Sequence, residues 1–299
     1  MIKIVKTTDI VTVKNIIVTL YGQPGIGKTT LGFTAKNPLL FDFDNGVQRA
    51  GMRGEYVYIS NWNDIKDLSD EDLINYDTII IDTVGRMLEI LAIHLIKENP
   101  KLGRATGELT LQGYGALASA FKAWLNKIKS YNKDIVLIGH AKESSANDIN
   151  IVRIDAAGNS KDEIFKCSDL LGYIEAQSTG TYINFNPTEK SLGKNCAQLE
   201  LIKVENVKNN NHILADIIQQ TKDKMNKLSE SQIIRQNNFE VIKEMLENVS
   251  APDHLMNIIE LDFVKNDVEF KTLIHEKSKK LGFNYNKDKK CYESKVLEK

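Results

Sequence analysis

Hydrophobic positions follow two spacings over the first half of the chain. Continuous apolar runs of strand length alternate with stretches in which apolar residues recur every three or four positions, as on one face of a helix. The apolar runs cover 15–21, 39–44, 55–60, 76–83 and 134–140, and the helical stretches cover 86–98 and 114–131. Three consecutive isoleucines, Ile79–Ile81, are typical of a strand that is buried on both faces. The pattern predicts an α/β fold with a mostly parallel sheet that helices cover on both sides.

The pattern changes after residue 140. Shorter strands without intervening helices follow, and they favour an antiparallel extension of the sheet. These strands are predicted at 170–176, 181–185 and 199–204. Polar residues dominate 101–112 and 141–166, which we interpret as loops. The polar and acidic stretch 61–75 is expected to contain a surface helix.

A change of composition near residue 206 marks the start of a helical region. Four asparagines lie within 206–211, and the spacing of apolar residues is helical beyond them. Ser229-Glu230-Ser231-Gln232 has the spelling of a capping box, which satisfies free N–H groups at a helix start. Further helices are predicted to begin near Pro252 and Val268, and Gly282 ends the last of them. The predicted domains are a core over 1–211 and a small α-helical appendage over 212–299.

The segment that directly follows the first predicted strand carries the most specific motif. Gly22-Gln23-Pro24-Gly25-Ile26-Gly27-Lys28-Thr29 matches the phosphate-binding pattern G-x-x-x-x-G-K-[ST]. Glycines let the backbone curl so that its N–H groups face phosphate oxygens. Lys28 supplies a point charge for the β- and γ-phosphates, and the Thr29 hydroxyl is a hard oxygen ligand for Mg²⁺. The residues assigned to nucleotide binding are Gly22, Gln23, Pro24, Gly25, Ile26, Gly27, Lys28, Thr29 and Thr30.

An apolar strand that ends in a carboxylate supplies the other half of a Mg²⁺ site. Asp82 closes the isoleucine-rich strand, and ligands of open α/β sheets bind at this carboxyl edge. Since Thr29 belongs to the same edge, Thr29 and Asp82 are the predicted metal-binding residues. Mg²⁺ is therefore a predicted cofactor.

Two further strand ends offer polar groups to the same edge. Asp42 and Asp44 close a strand, and either carboxylate is a candidate for holding an attacking water. Residues two apart point to the same side of a strand, so periodicity does not choose between them. The alternative for this pair is a turn-capping role. His140 ends the fifth predicted strand. It is a candidate for contacting the γ-phosphate, and a purely structural role is the alternative. Lys142, two residues further on, points in the same direction.

Composition and charge exclude several classes of protein. The 299 residues are 42% hydrophobic and 26% charged, as in globular proteins, and no window approaches the roughly 20 apolar residues of a membrane span. The formal net charge of −1 argues against a broadly basic nucleic-acid coat. Three widely spaced cysteines lack zinc spacing, and the start of the chain lacks the apolar stretch of a secretory leader. A reducing cytoplasm is the expected location.

Charge is uneven at the C-terminal end. Residues 277–299 hold eight lysines against three acids. A solvated surface and a contact with a polyanion are both consistent with this excess.

In its order of elements, the chain over 13–205 resembles the RecA-like ATPase core. It is most similar to phage-encoded AAA/RecA-like nucleotide-binding proteins that are linked to single-strand DNA recombination. The resemblance selects Asp44 over Asp42 as the catalytic carboxylate, where recombinases of the family usually have Glu. It makes His140 the γ-phosphate sensor, where they often have Gln. Besides the Lys28 loop, the matching segments are Leu40-Phe41-Asp42-Phe43-Asp44-Asn45, Thr78-Ile79-Ile80-Ile81-Asp82-Thr83-Val84 and Ile135-Val136-Leu137-Ile138-Gly139-His140.

The same resemblance implies Mg²⁺-dependent hydrolysis of ATP at sites that are completed between subunits of a homo-oligomer, either a ring or a filament. Lys194, within Gly193-Lys194-Asn195, resembles the lysine that reaches the nucleotide of a neighbouring subunit. Lys190 is the competing residue for that role. The catalytic residues that the resemblance implies are Lys28, Asp44, Asp82, His140 and Lys194.

Single-stranded DNA is the partner that the resemblance implies, in the cytoplasm of a bacterial host, with a single-strand-binding protein as a further candidate. The loops 101–112 and 141–165 take the positions of the family's two DNA-contacting loops. Their charge is poorly suited to a polyanion. The first loop offers Lys101 and Arg104, and the second holds three cations against five acids.

Two other functions are consistent with the sequence. One is an ATP-dependent assembly switch or loader that hydrolyses slowly and does not bind DNA directly, which Asp44 and the acidic second loop favour. The other is a phosphotransferase acting on a small substrate. The chain has only six arginines and no evident arginine-bearing lid after the Asp82 strand, so we rank this function last.

Overall fold

The computed structural model describes residues 5, 9–146, 149–286, 289 and 291–294. They form two compact units, one over 12–226 and one that combines the described residues of 1–11 and 227–299. Each unit has a hydrophobic core of its own.

The larger unit is built on one mixed sheet. Its strands are β1 (Ile17–Gly22), β2 (Pro38–Asp42), β3 (Glu55–Tyr58), β4 (Thr78–Asp82), β5 (Asp134–Ala146), β6 (Ile149–Ile154), β7 (Leu170–Gln177), β8 (Gly180–Asn184), β9 (Lys194–Asn195) and β10 (Ile202–Val204). The order is β10-β8-β7-β1-β5-β4-β2-β3. The six strands from β7 to β3 pair in parallel, and β8 and β10 add antiparallel strands at one edge. This confirms the predicted α/β fold with its antiparallel extension.

Helices cover both faces of this sheet. They are α1 (Lys28–Gly32), α2 (Val84–Glu98), α3 (Leu111–Ser130), α4 (Ser160–Cys167) and α5 (Ile213–Met225). Neighbouring residues of a strand point to opposite faces. Ile79 and Ile81 accordingly pack with the apolar residues of α2 and α3, whereas Ile80 packs with those of α1 and α5. The isoleucine run is therefore buried on both sides, as predicted.

The helix α5 is part of the larger unit. The backbone N–H of Leu214 donates to the Thr34 hydroxyl at 2.9 Å, and Lys222 forms a 2.6 Å ion pair with Asp134 at the start of β5. The compact unit accordingly extends to residue 226, whereas the sequence pattern placed the start of the C-terminal region at residue 212.

The surface helix predicted within 61–75 is wrong. This stretch contains two short 3-10 turns, Trp62–Asp64 and Glu71–Leu73. Trp62, Ile65 and Leu73 are buried in the core, and the indole N–H of Trp124 donates to the carbonyl of Ile65 at 3.1 Å. These widely spaced apolar anchors hold the segment against the sheet and leave no continuous helical face.

Both predicted loops contain regular structure. In 101–112, Gly103 pairs with Leu109 in an antiparallel bridge, and the Leu109 side chain is buried. In 141–166, β5 continues to Ala146 and pairs with β6, and α4 follows. Residues 147–148 lie outside the described part of the chain. Ile154 and Ile164 are buried in the core. The loop prediction was wrong because it overlooked the short apolar run of β6, Ile149, Ile151, Val152 and Ile154, within a mainly polar stretch.

The C-terminal unit is mainly helical, as predicted. Its elements are α6 (Glu230–Glu247), α7 (Pro252–Ile259), α8 (Asp262–Lys265), α9 (Val268–Lys280), β11 (Phe283–Asn286) and β12 (Cys291–Ser294). The capping box is confirmed, because Ser229 and Gln232 exchange side-chain and backbone hydrogen bonds at the start of α6. The antiparallel hairpin β11–β12 was not predicted.

Candidate nucleotide-binding site

The carboxyl ends of four parallel strands bring the predicted site residues to one edge of the sheet. In the strand register, Asp42 lies beside Asp82, and Gly22 lies beside His140. Since β5 runs between β1 and β4, His140 stands between the phosphate loop and the Asp82 strand. The juxtaposition expected from the sequence is therefore present.

The phosphate loop joins β1 to α1 in a conformation that its glycines make possible. Gly25 and Gly27 have φ angles of +78° and +96°, in the left-handed region that side chains disfavour. At Gly22 the restriction is space, because a Cβ there would lie 2.6 Å from the carbonyl oxygen of Ile174 on β7. The loop geometry thus requires glycine at these three positions.

Lys28 lies inside the loop. Its side chain donates to the carbonyls of Gly22 at 3.0 Å and Gln23 at 2.8 Å, and the residue is only 5% exposed. Burial lowers the pKa of Lys28, and the carboxylates of Asp82 and Asp44 oppose this by favouring the ammonium form. The ammonium group is therefore surrounded by acceptors at the place where phosphates are expected.

Thr29 and Asp82 form the predicted pair for a metal ion. The Thr29 hydroxyl donates to Oδ2 of Asp82 at 2.6 Å. Burial raises the pKa of Asp82, and the nearby carboxylates of Asp42 and Asp44 raise it further. A cation would relieve this accumulation of negative charge, and the donors are hard oxygens, so the residues fit Mg²⁺. No cluster of three His, Cys, Asp or Glu able to hold a metal occurs among the described residues, so substrate phosphates and waters would complete the coordination.

The structure separates the roles of Asp42 and Asp44. The buried Asp42 carboxylate accepts hydrogen bonds from the backbone N–H groups of Asp44, Gly46 and Val47 at 3.0 to 3.1 Å. It caps the turn after β2, which is the alternative role considered for this pair. Asp44 instead points into the pocket, where it accepts from the Thr83 hydroxyl at 3.2 Å.

His140 lies next to Asp44 in the lining of the pocket. Its Nε2 lies 3.5 Å from Oδ2 of Asp44. Its Nδ1 is buried and has no hydrogen-bond partner among the described residues. Together with Lys28, Thr29 and Asp82, these two residues line a cavity of about 190 Å³.

Arg86 is a residue of the site that the sequence analysis missed. It lies in the first turn of α2. Its Nε contacts Oδ1 of Asp44 at 3.1 Å, and its Nη1 pairs with the Glu89 carboxylate. Arg49 also lines the cavity. The only signal for Arg86 was its position just after the Asp82 strand, because its partner Asp44 is far away in sequence.

Several predicted residues have other partners. The Thr30 hydroxyl accepts a hydrogen bond from the backbone N–H of Gly51 at 2.9 Å. Lys142 pairs with Asp155 at 3.4 Å. Lys194 donates to the carbonyls of Phe165 and Lys166 at the end of α4, away from the pocket residues of its own chain. The backbone carbonyl of Lys190 accepts a hydrogen bond from Val152 on β6.

Among the described residues of the two segments proposed to contact DNA, ion pairs engage two of the five cations, Arg104 and Lys142. Arg104 faces Glu108 at 3.9 Å, and Glu163 pairs with Lys122 and Lys166. Lys101 is an exposed cation of the first segment, and Arg153 and Lys161 line a small cleft beside α4. The described residues contain no helix long and apolar enough to cross a membrane.

Comparisons with known proteins place this pocket in a family. A search of curated proteins finds no match. Among solved structures, the crystal structure of the RadB recombinase matches 57% of this chain and 83% of its own, with 13% identity and a TM-score of 0.33. A family model described as AAA domain matches residues 14–197, which include every residue of the pocket described above. The chain therefore belongs to the AAA domain family.

Proposed function

We propose that the protein binds ATP with Mg²⁺ in this pocket and hydrolyses it. The observation that carries the proposal is the 2.6 Å contact between the Thr29 hydroxyl and the Asp82 carboxylate, directly beside the buried ammonium group of Lys28. A metal-binding pair and a phosphate-binding cation are thereby held next to each other. Asp44 supplies a further carboxylate to the lining of the same cavity.

The mechanism is positioning and neutralisation of charge. Backbone N–H groups of the loop and Lys28 hold the β- and γ-phosphates, and Thr29 and Asp82 hold Mg²⁺, which neutralises charge on the phosphate oxygens when bound. Water attacks the γ-phosphorus, the bond to the β–γ bridging oxygen breaks, and ADP leaves with the electron pair. Asp44 orients the water and accepts its proton, and His140 contacts the γ-phosphate.

Substitution of the loop lysine tests this proposal. Lys28→Ala is expected to abolish Mg²⁺-dependent ATP turnover, because the charge that holds the transferred phosphate is lost. Lys36→Ala is the matched control, since Lys36 is an exposed lysine whose ammonium group pairs with Asp77. Full activity of Lys28→Ala would refute the proposed function.

The resemblance to RecA-like ATPases extends the proposal to single-stranded DNA transactions by an oligomer. In the described part of the two segments expected to contact DNA, ion pairs engage Arg104 and Lys142 and leave the cations Lys101, Arg153 and Lys161. ATP turnover measured with and without single-stranded DNA, while the same mixture is imaged for rings or filaments, tests both parts. Stimulation by DNA is the expected result.

A second candidate function is an ATP-dependent switch of assembly state that hydrolyses slowly. The observation that favours it is the engagement of Asp44 by Arg86, Thr83 and His140, because a carboxylate with three partners has less capacity left for a water. Here, turnover would not respond to DNA, whereas binding of ATP would change the oligomeric state. Sedimentation with ATP and with ADP separates the two functions.

A further inference from the structure

The C-terminal unit separates its charges between two segments. Residues 227–265 carry four lysines and arginines against seven acids, whereas 271–286 carry four lysines against one acid, Glu276. Between these segments, Asp267 and Glu269 are both paired with Arg235. Positive charge is therefore concentrated on α9 and its end, although the formal net charge of the chain is −1.

On α9 two exposed lysines and an exposed histidine form a row. Lys271, His275 and Lys279 are four residues apart and exposed, while Phe270 and Ile274 on the other face are buried in the core of the unit. Helix residues at this spacing lie about 6 Å apart along the axis, so the three side chains stand above one another on one face. We call Lys271, His275 and Lys279, with the exposed Lys280 beside them, the α9 basic row.

The hairpin β11–β12 is held beside the end of this row. Gly282, with a φ of +74°, turns the chain from α9 into β11. On β12, Tyr292 is buried in the same core cluster as Ile274, and its ring lies 5.0 Å from that of the exposed Tyr285 on β11. A helix and a two-stranded ribbon are thus fixed side by side. These are the two kinds of element that the major groove of DNA admits.

We propose that the α9 basic row binds the phosphate backbone of double-stranded DNA. Neutralisation of phosphates by lysines releases counterions and is the main source of sequence-independent affinity. Three other polyanions fit less well. Proteins that bind single strands use several aromatic side chains on which successive bases stack, whereas Tyr285 is the one exposed aromatic ring on the described hairpin. Duplex RNA has a major groove too narrow for side chains to read. A membrane surface calls for an apolar helix face, and that face of α9 is buried.

The proposal concerns a different part of the chain from the phosphate pocket and does not depend on ATP hydrolysis. Its test uses the full chain without nucleotide and a short labelled DNA duplex, whose binding is followed by fluorescence anisotropy over a range of salt concentrations. The variant K271Q/K279Q/K280Q removes three cations from the α9 basic row. Its matched control, K227Q/K243Q/K265Q, removes the same charge from the acidic segment of the same unit.

The row variant is expected to bind the duplex more than about tenfold more weakly than the unaltered chain at low salt. The slope of log K against log salt is expected to shrink by about 2.7, which is ~0.9 for each of three lost phosphate contacts. The control is expected to keep both the affinity and the slope. Circular dichroism of both variants establishes that the helices remain.

Equal losses in the two variants, or no loss in either, would overturn the proposal. It would also be overturned if the row variant kept duplex binding but lost binding to single strands of the same sequence or to anionic phospholipid vesicles.

Discussion

Asp44 and His140 meet in the lining of the phosphate pocket, with 3.5 Å between Oδ2 of the carboxylate and Nε2 of the imidazole. Asp44 follows β2 and His140 lies within β5, and Asp44 is held in addition by Thr83 and Arg86. Asp42, two residues earlier, is turned away and caps the backbone. This arrangement gives the two aspartates different functions, which substitution can separate.

Asp44→Asn is expected to lower kcat for ATP hydrolysis by about 10²-fold or more, because the amide cannot accept the proton of the attacking water. Nucleotide affinity and the free energy of unfolding are expected to change little, since the side chain lies at the pocket wall and is partly exposed. Steady-state kinetics and nucleotide titration check this prediction.

Asp42→Asn is the same substitution at the other aspartate. It keeps one carbonyl oxygen but weakens charge-assisted bonds to three backbone N–H groups, so the free energy of unfolding is expected to fall by about 2 kcal/mol. Chemical denaturation measures this loss. If Asp44→Asn kept full kcat while Asp42→Asn lost it in a folded protein, the roles assigned to the two residues would be reversed.

Adjacent threonines at the end of the phosphate loop provide a second comparison. Thr29→Ala is expected to lower Mg²⁺-dependent turnover by about 10²-fold, because it removes the hydroxyl that contacts Asp82 and would bind the metal. Thr30→Ala removes a hydroxyl that contacts the backbone of Gly51, and turnover is expected to stay within about threefold of the unaltered protein. Turnover measured across a Mg²⁺ titration is the readout, and equal effects of the two substitutions would contradict the assigned geometry.

The elements around the pocket were predictable because each depends on a short, continuous pattern. The apolar run that ends in Asp82 reports a buried strand and its polar end within a few residues, and the run up to His140 reports the part of β5 that pairs in parallel with β1. The contacts that could not be predicted join distant residues. Asp42 and Asp44 have the same local pattern, and only the folded turn shows which of them meets Arg86 and His140.

Polar composition was a poor guide to structure in 141–166. The sequence there is hydrophilic because the β5–β6 hairpin and α4 each bury few residues, among them Ile154 and Ile164. The apolar residues of β6, Ile149, Ile151, Val152 and Ile154, form a run of strand length, but the polar residues on both sides of it dominate the window. Backbone pairing between β5 and β6 supplies the regularity instead, and such pairing is invisible in composition.

The buried ion pair between Lys222 of α5 and Asp134 of β5 yields a prediction about stability. Burial raises the pKa of Asp134, and the hydrogen bond from Lys222 opposes this by favouring the charged form. Lys222→Met would leave a buried carboxylate without its partner, and we expect it to cost about 3 kcal/mol in the free energy of unfolding.

The double variant Lys222→Met/Asp134→Asn is the control for this prediction. An asparagine still accepts the hydrogen bond from the backbone N–H of Ile16 and carries no charge, so most of the lost stability is expected to return. Denaturation curves of both variants provide the comparison. A double variant that is as unstable as the single one would show that the lost stability does not come from the unpaired carboxylate of Asp134.

Lys194 is predicted to act on the nucleotide of a neighbouring subunit, and within its own chain it contacts carbonyls at the end of α4. Lys28→Ala and Lys194→Ala are each expected to be inactive alone, whereas a one-to-one mixture is expected to recover activity. In a head-to-tail oligomer, about a quarter of the sites in such a mixture pair an intact Lys28 with an intact Lys194 from the next subunit. ATP turnover as a function of mixing ratio is the measurement, with Lys190→Ala as the matched control. If Lys190→Ala complements Lys28→Ala and Lys194→Ala does not, the lysine that acts between subunits is Lys190; if neither mixture recovers activity, the site is complete within one chain.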